Sequence, residues 1–514
     1  GDYRVPATSF TYNTFELPIQ NELLKNTAGR EQNWQVATGT GGGWGNMMVT
    51  VSRFNQQAGL FSGAIGIPRS YRLQEDGDRR NIDIPYQYTD HFRTDFNGKW
   101  LVNKGWVHAD VGYQRNLRQE WSYPHIHGLG PAPTNDLALQ LDLETYTANI
   151  RYYRLPSPNL KLIAGWNGQY KQNEVGGFEF LVPAYSAFQT GAFTFFEWKN
   201  QPQSTWSGGI RYDLGAIDLA GYDQPLYDID TNIIGYRERS AALQKFFHNI
   251  SGSIGWAYRP TDKWTLKANL GKSFRMPNGA ELGMNGVHHG TFRHEMGDTS
   301  ITSEDGYQLD VGVAYETEHL IVELSPYFNY FNNFIYLRPT GSFSLLPDAG
   351  QIYRYTQANA LHTGWESHID WHPIAPFHLE LTTAYTFNIN LETGLPLPFT
   401  PPLHIRPSMY YEWELGHNWL QTAQVRLQYD YFASQNRTDR NEPSTPGYGL
   451  LDAQIGITLG TRQHPIQLMV GARNLMDVAY LNHLSRYRIL NIPEPGRNFV
   501  VTLNYTPDWS NRDQ

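Results

Sequence analysis

Apolar and polar residues alternate with a period of two along several segments of the chain. Between Trp264 and Leu270 the apolar residues occupy the even positions, and between Tyr307 and Tyr315 the large apolar residues occupy the odd ones. Successive side chains of an extended strand point to opposite faces, so this pattern predicts β-strands with one apolar and one polar face. The same alternation recurs at 107–114, 377–387 and 423–431.

The length of these segments favours a membrane protein over a soluble one. Each runs to about ten residues, which is the span of a tilted strand that crosses a bilayer, whereas strands of soluble proteins average about five or six. Tyr, Phe or Trp begins or ends several of the apolar faces, as expected at membrane interfaces. A soluble β-sandwich or propeller is the alternative. We expect an all-β fold, a transmembrane antiparallel β-barrel, because closure leaves no unpaired backbone edge in lipid.

The predicted connections are short on one side of the barrel and long on the other. Residues 259–263 and 372–376 are predicted to form short periplasmic turns. The predicted long extracellular loops are 55–90, 115–140, 172–206, 275–305, 332–358, 388–405, 432–447 and 474–497. At roughly 23 residues for each strand and its connection, the chain accommodates about 22 strands.

Composition excludes several other classes of protein. The chain has no cysteine, which excludes a disulfide scaffold, a cysteine-based zinc module and a cysteine nucleophile. Its formal net charge of −9 argues against nucleic acid as a partner. We find no stretch of about 18 apolar residues that would form a spanning helix. No nucleophile elbow, zinc-protease motif or phosphate loop is present, so we expect no enzymatic activity.

Short motifs along nearly the whole chain resemble those of TonB-dependent outer-membrane receptors. Near the start, 26–31 and 58–68 are similar to early barrel segments of metal-chelate receptors. The motifs that follow are Ser273–Pro277 with Glu281 and Leu282 (an FRxPxxxEL box), Gly364–Glu366, Leu397–Pro402 (LPFxPP), Gly471–Tyr480 (xNLxDxxY) and Pro493–Phe499 (PGRxF).

The resemblance implies an importer with a particular domain arrangement. Such receptors carry an N-terminal plug inside the barrel, and TonB, with ExbB and ExbD, relays energy to it. Residues 4–19 already alternate like a first barrel strand, so we expect residues 1–505 to form the barrel, without the plug, and 506–514 to form a tail. Outer-membrane lipid is an expected partner, and an accessory surface lipoprotein is a further candidate.

Two loop clusters are the candidate ligand-binding residues. The first is His288, His289, Arg293, His294 and Glu295, in which the three imidazoles are candidate metal ligands. In haem receptors of the family a functional histidine lies in the corresponding interval. The second cluster is Trp121, Tyr123, His125 and His127, where two histidines on one face of a strand could share a metal and the aromatic rings could stack on a flat ligand. The alternative is that these histidines contact the plug or neighbouring loops.

The resulting expectation is an outer-membrane receptor that imports a scarce metal complex, with no built-in cofactor. Haem or an iron chelate ranks first as cargo, ahead of zinc and cobalamin. A passive porin or a surface adhesion barrel is the alternative function.

Overall fold

The computed structural model describes residues 3–12, 15–60, 78–124, 129–288, 293–346, 350–417, 419–461 and 464–505. Four short strands near the start of the chain are β1 (Tyr3–Arg4), β2 (Ser9–Tyr12), β3 (Phe15–Pro18) and β4 (Leu23–Leu24). Four more lie in the long connections: β13 (Tyr222–Tyr227), β14 (Ile233–Ser240), β17 (Asn285–His288) and β18 (Arg293–Met296). The helical elements are α1 (Gly279–Gly283) and 3-10 turns at Gln20–Glu22 and Arg486–Leu490.

The long strands form one antiparallel barrel, which confirms the predicted fold class. They are β5 (Gly29–Gly42), β6 (Gly45–Gly59), β7 (Tyr86–Val102), β8 (Gly105–Trp121), β9 (Leu137–Ser157), β10 (Leu160–Gly176), β11 (Tyr185–Gln201), β12 (Ser204–Leu219), β15 (Leu243–Thr261), β16 (Trp264–Arg275), β19 (Glu304–Glu316), β20 (Leu320–Phe343), β21 (Gln351–Ile374), β22 (Phe377–Asn390), β23 (His404–Glu414), β24 (Leu420–Phe432), β25 (Tyr448–Thr461), β26 (His464–Arg473) and β27 (Asn498–Tyr505). With the hairpin β17–β18, the barrel sheet has 21 strands in the described residues.

The seam of the barrel is its most exposed part. The order of strands brings β27 next to β5, and every residue of β5 is exposed. Antiparallel registers join β27 to β26 on one side of the seam and β5 to β6 on the other. Backbone pairing between neighbouring strands therefore consolidates the wall.

The outer face of the wall carries an apolar band between two aromatic girdles. On β19, Leu309 and Val311 are 44% and 36% exposed on this face, while Gln308 donates to Asp310 on the inner face at 3.2 Å. One girdle contains Tyr113 and Tyr146, whose ring centroids lie 5.0 Å apart. Such a band is typical of a wall that contacts lipid.

The second girdle lies near the other ends of the strands. There Trp206 lies 6.1 Å from Trp256, and Trp264 lies 4.7 Å from Tyr315, between ring centroids. Large amphipathic rings at both borders of an apolar band are what an interface between hydrocarbon and water selects.

The strands continue well beyond the apolar band, which the sequence did not predict. Just beyond Tyr113 on the same outer face, Arg115 forms an ion pair with Asp142 at 2.6 Å, and Arg53 forms another with Asp90 at 2.6 Å. Such exposed ion pairs fit an aqueous setting, where hairpin pairing no longer requires apolar alternation. This extension explains why strands reach 24 residues and why the predicted loop 332–358 contains strand residues. The predicted loop 172–206 is wrong, because it contains the whole wall strand β11.

The asymmetry of the connections is as predicted. Turns of two to five residues join the strands at one end, and connections of seven to 28 residues join them at the other. The predicted turns at 259–263 and 372–376 are centred on residues 262–263 and 375–376. The end of the barrel that carries these short turns is named the short-turn end.

Residues 4–19 are not the first barrel strand, so that prediction is wrong. This segment contains β2 and β3, which pair with each other, and β1, which pairs with β4, and both pairs are sheets separate from the barrel sheet. The alternation here is too short to span a membrane, and Pro6 separates β1 from β2, since proline has no N–H to donate to a sheet. The predicted tail, 506–514, lies outside the described residues.

The buried apolar core lies among the long connections, where α1 packs against the upper barrel wall. One cluster contains Ile217, Leu219, Leu282, Ile301 and Ile335, and a second contains Leu139, Leu181, Val182 and Met284. None of the helices in the described part of the chain is both long and apolar enough to cross a membrane. The core therefore fixes the loops, while backbone pairing holds the wall.

Candidate functional site

The FRxPxxxEL box fixes the base of the long connection that follows β16. The Arg275 guanidinium contacts Glu281 at 2.7 Å and Glu304 at 3.2 Å. Asn278 caps α1, because its side chain accepts from the Glu281 N–H while the Glu281 carboxylate accepts from the Asn278 N–H. The spacing of the box thus has a structural role here, since it ties α1 to the start of β19.

The hairpin β17–β18 carries the first predicted cluster into the loop core. Arg293, His294 and Glu295 are all buried, and β18 adds in parallel to β21, with Glu295 opposite Tyr353. His288 pairs with Arg293 through the backbone. His289 lies outside the described residues, as do His125 and His127 of the second cluster.

His294 uses both ring nitrogens within the protein. Nε2 lies 2.8 Å from the Asn285 Oδ1 and Nδ1 lies 2.9 Å from the Ser344 hydroxyl. The Asn285 amide oxygen only accepts, because its Nδ2 donates to the Arg239 carbonyl, so Nε2 carries the proton. Burial, and then the charges of Arg239 and Arg237, lower the pKa of His294 to about 4. A metal could bind this ring only after one of its two hydrogen bonds had been released.

A cavity of about 300 Å³ opens beside Arg293, among four of the long connections. Its walls come from the connection after β16, the β20–β21 hairpin, the LPFxPP turn and the 474–497 connection. The lining residues are Arg293, Leu337, Tyr353, Phe399, Leu484, Ser485, Arg486, Arg488 and Ile489. The cavity therefore combines guanidinium groups with aromatic and aliphatic side chains.

Two arginines flank the aromatic residues of this cavity. The Arg293 guanidinium lies 4.7 Å from the Tyr353 ring centroid and 5.6 Å from that of Phe399, and the Arg488 guanidinium lies 5.7 Å from Phe399. Phe399 has a φ of 60°, a left-handed conformation that is costly for a bulky side chain. Its N–H donates to Glu442 at 2.9 Å, which holds this conformation.

Glu442 is the centre of a buried polar cluster behind the cavity. Its carboxylate accepts from Arg488 at 2.6 Å and lies 3.2 Å from the His483 Nε2, while the His483 Nδ1 accepts from Thr445 and Arg488. Burial acts to raise the pKa of Glu442, but its contacts with His483 and Arg488 outweigh burial and hold that pKa below its ordinary value. Glu442 is therefore an anion that fixes Arg488.

The charges around the cavity do not balance. Arg293 pairs with Glu295 at 3.0 Å and Arg488 pairs with Glu442, whereas Arg486 makes no hydrogen bond or ion pair with another described residue. Partial burial, and then the nearby Arg293, lower the pKa of Arg486. Among the described residues, three arginines line the cavity and two carboxylates pair with them. The excess positive charge favours an anionic ligand.

Trp121 and Tyr123, the described members of the second cluster, are not among the residues that line this cavity. Trp121 ends β8 and stacks on Tyr86, with ring centroids 6.0 Å apart. Tyr123 follows it and is 54% exposed. The structure does not bring these two residues into the cavity with Arg293.

The sequence predictions did not include four important residues: Phe399, Glu442, Arg486 and Arg488. The LPFxPP turn had pointed to Phe399 as part of a motif, although not as a cavity residue. The only sequence signal for the two arginines is their spacing of two in the 474–497 loop. Glu442 gave no signal, because its role depends on a contact across 46 residues.

Known structures share this fold across nearly the whole chain. A copper transporter, OprC, is 19% identical, with a TM-score of 0.74, and the alignment covers 98% of this chain and 73% of that one. The FrpB iron transporter from Neisseria meningitidis (F5-1 variant) is 13% identical, with a TM-score of 0.68 and coverage of 98% and 76%. The ferric yersiniabactin uptake receptor FyuA from Yersinia pestis is 13% identical, with a TM-score of 0.62 and coverage of 93% and 69%.

These identities are too low to carry function across, so the likeness establishes the fold. A match to a family of sequences is independent of that likeness. Residues 9–475 match the family described as the TonB-dependent receptor-like β-barrel. The chain therefore belongs to the TonB-dependent receptor β-barrel family.

Proposed function

We propose that this protein is an outer-membrane receptor that binds an anionic metal chelate at its long loops and imports it with energy relayed by TonB. The family membership supports the transport class, and the barrel with its lipid-type outer face supports the location. An iron chelate or haem remains first among the cargoes, because both present anionic groups and planar or aromatic surfaces.

The observation that carries the proposal is the Arg486 guanidinium at the cavity, which forms no ion pair with another residue of the described ranges. A guanidinium binds carboxylate or phenolate oxygens through directed N–H donors, and Tyr353 and Phe399 provide flat surfaces for a conjugated ligand. A chelate that presents its own oxygens outward would meet these groups without any protein atom touching the metal. This mode of binding agrees with a His294 whose two nitrogens are already engaged.

Direct metal ligation by His288 and His289 stays a prediction. It requires their imidazoles to contact the cargo directly. TonB, ExbB and ExbD, a plug inside the barrel and a surface lipoprotein are proposed partners on the strength of the family alone.

The proposal is tested by binding of ferric chelates of different charge to the protein in detergent. Arg486→Ala should weaken binding of an anionic chelate by about tenfold, because one charge-assisted contact is lost. The same substitution should leave binding of a neutral chelate unchanged. The matched control is Arg354→Ala, since Arg354 is exposed at the same end of the barrel but does not line the cavity.

Two outcomes would count against the proposal. Equal affinity of the wild type and Arg486→Ala for every anionic chelate would remove the cavity from the binding site. Large conductance in planar bilayers with the complete receptor, independent of any ligand, would favour the passive porin instead.

A further inference from the structure

A second cluster of side chains that can bind a metal lies at the short-turn end of the barrel, opposite the loop cavity and near the turn at 375–376. Asp370 and His372 are on β21 and His378 is on β22, and their ligand atoms lie within 4.8 Å of one another. All three occupy inner-face positions, since the alternate residue Trp371 is 47% exposed on the outer face. They therefore line the lumen where the barrel opens at its short-turn end.

The hydrogen bonds of His372 leave one nitrogen without a partner. Its Nε2 lies 2.7 Å from the Glu318 carbonyl oxygen, which can only accept, so Nε2 carries the proton of the neutral ring. Nδ1 is then a lone pair, and it is buried without a hydrogen bond. It faces the Asp370 carboxylate at 3.5 Å, an acceptor turned toward an acceptor.

A cation between these groups resolves that conflict. His378 offers its Nδ1 at 3.1 Å from the same carboxylate. In a tetrahedral site with bonds of 2.0–2.1 Å, neighbouring ligand atoms are separated by about 3.4 Å, close to the two measured separations. The bond from His372 to the Glu318 carbonyl is the contact that commonly orients a metal-binding imidazole.

We propose that Asp370, His372 and His378 bind one divalent transition-metal ion at the short-turn mouth of the barrel. Two imidazoles and one carboxylate suit a borderline ion such as Zn²⁺, Co²⁺, Ni²⁺ or Cu²⁺ rather than Mg²⁺ or Ca²⁺. Water would complete the coordination from the lumen. This site is separate from the loop cavity and does not depend on the proposed cargo.

The same geometry accommodates a proton as an alternative to a metal ion. A His372 protonated on both nitrogens would donate from Nδ1 to Asp370 and form a simple ion pair. The experiment must therefore detect a metal directly and not only the effect of losing a side chain.

The probe is Co²⁺, added at neutral pH to the purified, metal-free protein in detergent. We expect one equivalent to bind with the visible absorption of a low-symmetry Co²⁺ site, and an excess of Zn²⁺ to displace it. His372→Gln and His378→Gln should each weaken binding at least tenfold, because each removes a direct ligand. Retained heat-modifiable mobility in gels shows that each variant is folded.

The matched control is His404→Gln. His404 also contacts a wall carboxylate, Asp430, at 2.7 Å. That carboxylate pairs with Arg406, in the place where Asp370 has a second histidine. This variant should bind Co²⁺ like the wild type. A His288→Ala/His289→Ala variant should also retain this equivalent, which separates the site from the predicted loop cluster.

Two results would overturn the proposal. The first is the absence of saturable Co²⁺ binding, which would leave the proton as the partner of Asp370. The second is unchanged binding after both His372→Gln and His378→Gln, which would place the metal elsewhere.

Discussion

Glu442 shows how one buried side chain supports the candidate binding site. Its carboxylate fixes Arg488, receives the Phe399 N–H and lies beside His483. A buried ion pair gives little net stability compared with an apolar pair, but removal of one partner leaves an uncompensated charge. The cavity is therefore more sensitive to loss of Glu442 than to loss of any exposed charge.

Glu442→Gln should destabilise the loop region by about 3–5 kcal/mol, because Arg488 would keep a buried charge without its counterion. Local opening can be measured by hydrogen exchange of the 433–447 and 474–497 connections. The control, Glu414→Gln, changes an exposed carboxylate near a short turn and should have almost no effect. Equal exchange in both variants would contradict the role given to Glu442.

His294 should make the loops sensitive to acid. Its pKa in the folded state is about 4, below the ordinary value near 6.5. Protonation of His294 therefore favours local unfolding of the loops, in which the ring regains its ordinary pKa. The stabilisation is fully present above about pH 6.5 and falls as the pH drops toward 4, by at most about 3 kcal/mol. Proteolysis of the hairpin loop should accelerate over this range, and His294→Gln should remove that part of the pH dependence. A variant with the same pH profile as the wild type would refute this.

At the scale of single strands, burial and charge follow the two-residue alternation. β19 illustrates this most simply, because Leu309, Val311 and Val313 share the outer face while Gln308 and Asp310 face the lumen. The aromatic residues Tyr307 and Tyr315 end the apolar face of this strand and place Val311 near the middle of the band.

Val311→Arg should cost about 2–4 kcal/mol, because it places a charge near the middle of the hydrocarbon. Gln308→Arg, on the lumen face of the same strand, should be tolerated. Reversible folding into lipid vesicles measures both free energies. Similar costs on the two faces would reverse the assignment of lipid and lumen.

Gly364 of the short Gly-x-Glu signature has a packing role on β21. A Cβ at this position would lie 2.0 Å from the Tyr385 carbonyl oxygen and 2.6 Å from the Tyr327 hydroxyl. Gly364→Ala should therefore destabilise the barrel by about 1–3 kcal/mol, as overpacked sites do. Gly312→Ala is the control, since its nearest neighbour is the Lys267 Cβ at 3.6 Å. Equal melting temperatures of the two variants would contradict this.

The strands were predictable where every second residue must be apolar because it faces lipid, as at 307–315. This requirement ends at the membrane surface, so the sequence could not show that β20 and β21 continue to 24 residues. The alternation at 4–19 was misleading, because this segment forms a short hairpin separate from the barrel sheet. In the site, Arg293 was predicted from its neighbours in the loop. Arg486 reaches the cavity, and Glu442 contacts Arg488, only because the fold brings distant connections together.

At the scale of the whole molecule, wall and loops are stabilised in different ways. Backbone pairing and an outer face suited to lipid hold the wall, while apolar clusters and buried ion pairs hold the long connections. The two candidate binding sites lie at opposite ends of the lumen, the anion cavity among the loops and the Asp370 cluster at the short-turn mouth. A cargo moving through the barrel would meet the first before the second.

The central claim is that alternate residues of the wall face lipid and water, and the absence of native cysteine allows a direct test. Single cysteines at positions 308–314 would each carry an environment-sensitive fluorophore after folding into vesicles. The account predicts that labels at odd positions are quenched by spin-labelled lipid and those at even positions by a water-soluble quencher. Quenching without a two-residue period along this strand would contradict the membrane barrel and the receptor built on it.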